Sequence, residues 1–384
     1  MRVEPLVRRA RAVQDRAAMD CTPFALERWF ARHEFSARWT LSSSDCDGLA
    51  MAELLAGADA EARALWDDLR LGYTESAGHP LLRREIAATY AGVAPEEVLA
   101  FVPEEGIYAA MRCLLRPGDR VVCVAPAYQS LSQVAADLGC EVVRWTPREE
   151  DGWRFDPDDL AARLRPATRL VVVNFPHNPT GALATRDEWD RVVALARSRG
   201  AWLFSDEMYR GLERDGVERL PSAAESYERA VVLSGVSKTL GLAGLRVGWL
   251  VVRDAELRGR LAAFKDYLTI CGSAPSEILA LIGLRAREAL LARHRERIAR
   301  NRARLEAFTA ERPGLWRLVP PRAGPVCFPR LRGPEGATAL AERAAAAGLL
   351  LVPSSVFGWG DAHLRLGLGR ESFGEALARL AALL

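Results

Sequence analysis

Short unbroken apolar runs punctuate the middle of the chain. Val98-Leu-Ala-Phe-Val102, Arg120-Val-Val-Cys-Val124, Leu170-Val-Val-Val173, Ala201-Trp-Leu-Phe204, Ala230-Val-Val-Leu233 and Val247-Gly-Trp-Leu-Val-Val252 are of this kind, and each runs into a turn rich in Gly, Pro, Asn, Asp or Ser. Continuous rather than alternating apolarity reads as strands covered on both faces. Segments of helical spacing lie between them. The fold class is therefore α/β, with a mostly parallel sheet packed by helices on both sides.

The two ends read differently. Residues 1–40 are mostly helical in pattern, and Phe24, Trp29, Phe30 and Phe35 leave few polar faces, so this segment is expected to pack on the body of the protein. Leu41-Ser-Ser-Ser-Asp-Cys-Asp-Gly48 follows as a polar loop, with Ser44 or Asp47 as a candidate helix cap. Residues 254–310 are helical, with one break at Thr269–Ser276 and a long Arg-rich helix running toward Asn301. Beyond Pro313 come short strands at Val326–Phe328, Leu349–Val352 and His363–Leu368, with helices between and after them. That is the pattern of a smaller α+β domain. Two domains are expected of 384 residues: a large one over 46–285, and a small one joining 1–45 to 286–384. Neither repeats nor low-complexity segments interrupt this order.

Composition narrows the function. A net charge of +2, with arginines interleaved with Glu and Asp, describes solvated helix faces and excludes a polyelectrolyte partner such as nucleic acid. Seven cysteines without a C-x-x-C pair read as reduced core residues, neither a disulfide frame nor a zinc site, and no metal site is expected. No apolar run is long enough to span a membrane and the N-terminus lacks a signal-peptide core, so a cytoplasmic location is expected.

The chemistry concentrates in the turns after the strands. Ser234-Gly-Val-Ser-Lys-Thr-Leu-Gly-Leu-Ala-Gly-Leu-Arg-Val-Gly248 places one lysine, Lys238, among Ser, Thr and Gly between two apolar strands. A lysine there is costly to keep charged, which makes its amine a nucleophile able to form a Schiff base with an aldehyde such as that of pyridoxal phosphate (PLP). Ser234, Ser237 and Arg246 suit a phosphate ester. A solvated lysine on a glycine-rich loop is the alternative, and Arg246 inside G-L-R-V-G-W argues against it. Asn174-Phe-Pro-His-Asn-Pro-Thr-Gly181 ends one strand and projects amide side chains there. Ser205-Asp-Glu-Met-Tyr209 ends another, and a buried Asp206 requires a partner. Arg365 sits in a strand of alternating leucines, where a surface arginine would be odd, and Arg370 is its neighbouring rival.

Together, and in this order, these segments resemble the motifs of the class I/II (fold type I) PLP-dependent aminotransferases over most of the chain. The resemblance implies a seven-stranded PLP domain, a homodimer with shared active sites, and PLP held on Lys238. It implies that Asp206 meets the pyridinium N–H, and that Asn178 and Tyr209 share the phenolic oxygen. It also implies that Tyr128 stacks on the ring and that Arg365, with Asn178 beside it, binds the substrate carboxylate. Ser234, Ser237 and Arg246 would meet the phosphate. The spacing Tyr73, Gly78, Pro80, Leu82, Arg83 matches the family's Y-x-x-x-x-G-x-P-x-L-R, which would carry Tyr73 to the partner's phosphate, and Ser273 would approach the same partner site. The polar loop, through Ser43 and Ser44, would pass the substrate pocket.

Two departures stand out. Gly235 replaces the serine many relatives carry three residues before the lysine. Pro103-Glu104 replaces a Gly-Ala followed by Ser, Gln or Thr at the start of the helix expected to receive the phosphate. Either backbone N–H groups of that turn, with Glu105 among the cofactor-binding positions, do the work, or the phosphate is held from elsewhere; Glu104 receives no role. The activity implied is ping-pong transfer of an amino group between an L-amino acid and a 2-oxo acid, with freed Lys238 as the base. The alternative is a PLP-dependent lyase, replacement, oxidative or cyclising reaction. The L-S-S-S loop resembles that of capreomycidine-synthase-like enzymes, and Glu27, Asp45 and Asp266 would suit a basic side chain. A PLP-binding regulator without catalysis is disfavoured by the full set of site residues.

Overall fold

The computed structural model describes residues 21–384, and the helical pattern expected of the first twenty lies outside them. Seven strands form the central sheet: β1 Val98–Phe101, β2 Arg120–Val124, β3 Glu141–Trp145, β4 Thr168–Asn174, β5 Trp202–Asp206, β6 Ala230–Gly235 and β7 Gly248–Val252. Their order is β1-β7-β6-β5-β4-β2-β3, parallel except for β7, which runs antiparallel to both its neighbours. Alternate residues enter separate cores: Val171, Val173, Leu203 and Val232 on one face, Leu170, Val172, Phe204 and Leu233 on the other. Burial on both faces is why these runs are continuously apolar, each such side chain contributing about 1.5–3 kcal/mol. The strand absent from the sequence reading is β3, an edge strand whose Glu141 and Arg144 face solvent.

Open parallel sheets gather function where strand order reverses, outside the carboxyl ends of the strands. Here β4 and β5 lie beside that reversal and end in register, Asn174 against Asp206. Asn174 holds the corner, its Nδ2 donating to Asp206 O at 3.1 Å and its Oδ1 accepting from Asn178 N–H at 2.8 Å. Strand β6 ends one neighbour away and leads into the turn that carries Lys238.

A second region surrounds three short antiparallel strands in the order β8 Val326–Cys327, β10 Leu364–Gly367, β9 Val352–Pro353. The run expected as one strand at Leu349–Val352 divides: Leu349–Leu350 pairs instead with Trp39–Thr40. This region has its own core, which includes Leu26 and Trp29 of the first described helix, α1 Ala25–His33, and Leu41. Helix α2, Pro103–Leu114, begins at the end of β1, and helix α3, Arg287–Ala310, spans about 36 Å from its 24 residues. Asn301 on α3 is buried and donates to the carbonyls of Leu368 and Arg370, fixing the segment just after β10. The helix Met51–Ala56 starts at Ala50 without a side-chain cap, so neither Ser44 nor Asp47 caps it.

Residues 41–47 cross from this second region to the lysine turn. Gly367 N–H donates to Leu41 O at 2.6 Å, and Cys46 N–H donates to Lys238 O at 3.3 Å. Among the described residues no helix is long and apolar enough to cross a membrane, and all seven cysteines are free.

Candidate active site

A cavity of about 540 Å³ opens at the carboxyl ends of β4, β5 and β6, closed on other sides by α1, the 41–47 segment and β10. Lys238 faces it and is otherwise enclosed by protein, its Nζ donating to Ser44 Oγ at 3.0 Å. Burial is the main influence on the amine and lowers its pKa. Arg365 and Arg246 act the same way, while Asp45 and Glu27 oppose. The result is an amine biased toward its neutral, nucleophilic form.

Asp206, at the end of β5, is buried and accepts one backbone bond, from Met208 N–H at 3.1 Å. Burial pushes its carboxyl up to about 7, with Met208 N–H and Lys238 opposing. Tyr209 is buried, and its hydroxyl lacks a partner; Ser44 lies near it without closing a bond of good distance and angle. Ser237 is 3% exposed, and its hydroxyl is likewise unpaired.

Arg365 is 1% exposed. Its guanidinium donates to Ser42 O at 2.9 Å and reaches Asn178 Oδ1 at 3.5 Å, while Nε has no partner. Phe30 and Phe357 flank it at 5.7 and 5.5 Å from their ring centres. No carboxylate pairs with it among the described residues. Arg370 is in the opposite condition, paired with Asp45 at 2.8 Å and Asp47 at 3.2 Å. The geometry favours Arg365 over its rival as the group for an incoming carboxylate.

The family model of aminotransferase class I and II matches residues 39–380. The chain belongs to that family. Capreomycidine synthase of Streptomyces vinaceus is 35% identical over 346 residues, covering 89% of this chain and 88% of the relative. Arginine–pyruvate transaminase of Pseudomonas aeruginosa is 32% identical over 326 residues, covering 80% and 81%. The solved structure of the PLP-dependent cyclase OrfR superposes with a TM-score of 0.85 at 31% identity, covering 94% of this chain and 97% of that one. The sheet is that of the fold type I enzymes, and the cofactor of the family is PLP.

The residues of this aminotransferase-family cavity fit PLP. Asp206 forms no ion pair among the described residues, and a protonated pyridine nitrogen would supply a cation beside it. Tyr209 Oη is a free donor for a phenolate oxygen. Ser237 Oγ and Arg246 border the cavity beside the start of α2, whose free N–H groups suit a phosphate. Tyr128 also lines the cavity, its hydroxyl held by Glu27 Oε1 at 2.9 Å and its ring packed against Phe24 at 4.9 Å between centres.

Lys238, Asp206, Tyr209, Asn178, Tyr128, Ser237, Arg246, Arg365, Ser43 and Ser44 thus border one cavity. Three of the expected cofactor-binding residues do not. Ser234 turns the other way, its hydroxyl 3.4 Å from Glu207 O. It follows Val232 on the opposite sheet face, while Leu233 faces the cavity. Glu105 points to Thr269 Oγ1, 3.1 Å away. Tyr73 is 93% exposed and lies outside the cavity of its own chain. Of the acids, Glu27 and Asp45 line the cavity, whereas Asp266 lies near Ser76, outside it. The sequence reading missed Glu34, Phe24 and the Ser42 carbonyl, and left Glu104 without a role; all but Ser42 line the cavity. Glu27 in α1 and Glu34 just after it stand seven residues apart, a spacing that places them on one helical side, and that was the available signal.

Proposed function

We propose that this protein is a PLP-dependent aminotransferase that moves the amino group of an L-amino acid with a cationic side chain to a 2-oxo acid, by a ping-pong mechanism. The observation that carries the reading is the buried Arg365 guanidinium, which forms no ion pair among the described residues, bordering the same cavity as Lys238 and Asp206. Arg365 and Asn178 bind the substrate carboxylate and thereby orient Cα. Lys238, close to Ser44 and with its pKa lowered by burial, then moves the proton at Cα as general base. Bound PLP supplies the electron sink, and Asp206 keeps its ring nitrogen protonated. Tyr209 and Asn178 stabilise charge at the phenolic oxygen.

The side-chain preference follows from acids in the wall. Glu27, Glu34 and Asp45 border the cavity, and neither Glu27 nor Glu34 forms an ion pair among the described residues. Glu34 is held above the usual carboxylate range, by burial first and then by Glu27 and Asp45. A guanidinium or ammonium on the substrate relieves that repulsion. The name of one relative, an arginine–pyruvate transaminase, agrees with such a substrate. The second reading is cyclisation on the same cofactor, favoured by the match to a PLP-dependent cyclase over nearly the whole chain.

Single-turnover absorbance of the cofactor-loaded protein, against a panel of cationic, neutral and acidic amino acids without oxo acid, separates these readings. The expected result is conversion of the cofactor to its amine form by the cationic members, with one equivalent of 2-oxo acid released. Formation of a cyclic product with the cofactor returned to its aldehyde form would replace transamination with cyclisation.

A further inference from the structure

Glu104 has no part in the chemistry above, yet it is well placed to affect it. It is the second residue of α2, and its side chain lines the catalytic cavity. The helix start is pressed against the lysine turn: a Cβ on Gly248 would stand 2.7 Å from Pro103 Cγ, so only glycine lets the helix approach this far. Free N–H groups of the first helical turn, the unpaired and buried Ser237 hydroxyl, and Arg246 border the same cavity. All of these attract an anion. A carboxylate among them would repel it.

The conflict disappears if the carboxyl group keeps its proton. Burial dominates its surroundings and raises it to about 7. Glu27 from α1 and Asp206 from β5 push in the same direction; Ser130 and Arg246 oppose. The Ser130 hydroxyl lies 3.2 Å from Oε2, and the neighbouring Tyr128 hydroxyl is bonded to Glu27 instead. A bound phosphate adds negative charge and favours the protonated form further.

We propose that Glu104 is a ligand of the cofactor's phosphate, binding as a carboxylic acid that donates a hydrogen bond to a phosphate oxygen. The proposal rests on the reading that the phosphate lies at the start of α2. It accounts for an acid at the start of α2, beside groups that attract an anion: the carboxyl donates a hydrogen bond there only while protonated. Cofactor retention therefore weakens as rising pH ionises Glu104.

The test is the ³¹P NMR shift of the cofactor in the holoenzyme, followed with pH for wild type, Glu104→Gln and Ser130→Ala. Wild type should show a step that Glu104→Gln lacks. In Ser130→Ala the step should move to higher pH, because the lost hydroxyl favours the carboxylate. At alkaline pH, Glu104→Gln should hold the cofactor about tenfold more tightly than wild type, the equivalent of about one pKa unit of coupling. Superimposable wild-type and Glu104→Gln curves overturn the proposal and leave the phosphate placement intact. A wild-type cofactor signal equal to that of free PLP at every pH overturns the placement and the proposal together.

Discussion

A buried guanidinium without a carboxylate is unfavourable until an anion completes it. Arg365 is in that condition, whereas Arg370, five residues on, already has Asp45 and Asp47. The two should therefore respond differently to substitution. Arg365→Lys keeps the charge but loses the planar fork, so kcat/KM for the amino acid should fall about 10²–10³-fold, mostly through KM. Arg370→Lys should leave KM within about threefold and act instead on stability, since its partners tie the 41–47 segment to the chain after β10. Steady-state kinetics with urea unfolding of both variants decides this; a larger KM effect from Arg370→Lys would reverse the assignment. Arg365 was legible in the sequence because an arginine between leucines in a short strand has no solvated explanation. The pairing of Arg370 was not legible, since its acids lie more than three hundred residues away.

At the scale of elements, the 41–47 segment is what joins the small antiparallel sheet to the lysine turn. Its closest approach is to β10, where a Cβ on Gly367 would lie 1.8 Å from Ser43 O, a backbone atom that cannot swing aside. Gly367→Ala should cost about 3 kcal/mol or more in urea unfolding and displace Ser44 from Lys238 Nζ, lowering kcat at temperatures where the fold persists. Gly259→Ala is the control: it lies inside the helix Ala255–Lys265 with open space where its Cβ would go, and should stabilise by about 0.5–1 kcal/mol. The same scale explains what the sequence showed and what it hid. Strand-end motifs are local, so Asn178, Asp206 and Lys238 were visible from their turns. Ser234 and Glu105 point away from the cavity, whereas their neighbours Leu233 and Glu104 line it. Along β6 one step reverses the sheet face, and along α2 one step turns about 100°. The resulting directions depend on where β6 and α2 begin. Strand β3 escaped notice because an edge strand need not be apolar.

At the scale of the whole molecule, several large apolar side chains stand exposed among the described residues. Leu71, Tyr73 and Tyr267 are each close to nine-tenths exposed, and Ile270 is about half exposed. Tyr73 borders a separate hollow of about 740 Å³ with Leu65, Leu69 and Ile278. Large apolar side chains gathered in this way mark a surface for a partner. The family resemblance names a second copy, with Tyr73 reaching the neighbour's phosphate beside its Arg246. We propose that arrangement here, and a hybrid dimer tests it. Lys238→Ala alone should abolish turnover and the visible absorbance of lysine-bound cofactor; Tyr73→Ala alone should retain the lysine and hold the cofactor weakly. After the two are unfolded and refolded together, half the dimers should be hybrids. In each hybrid one site has lost both residues and the other has both intact. At a cofactor concentration that leaves each parent inactive, the mixture should recover about a quarter of wild-type activity. Hybrids that form, as judged by differential tags, but recover nothing would place Tyr73 outside the neighbour's site. Activity in such hybrids would instead show that two exposed surfaces, one bearing a tyrosine and the other the rim of a cofactor cavity, form one functional unit across the dimer axis.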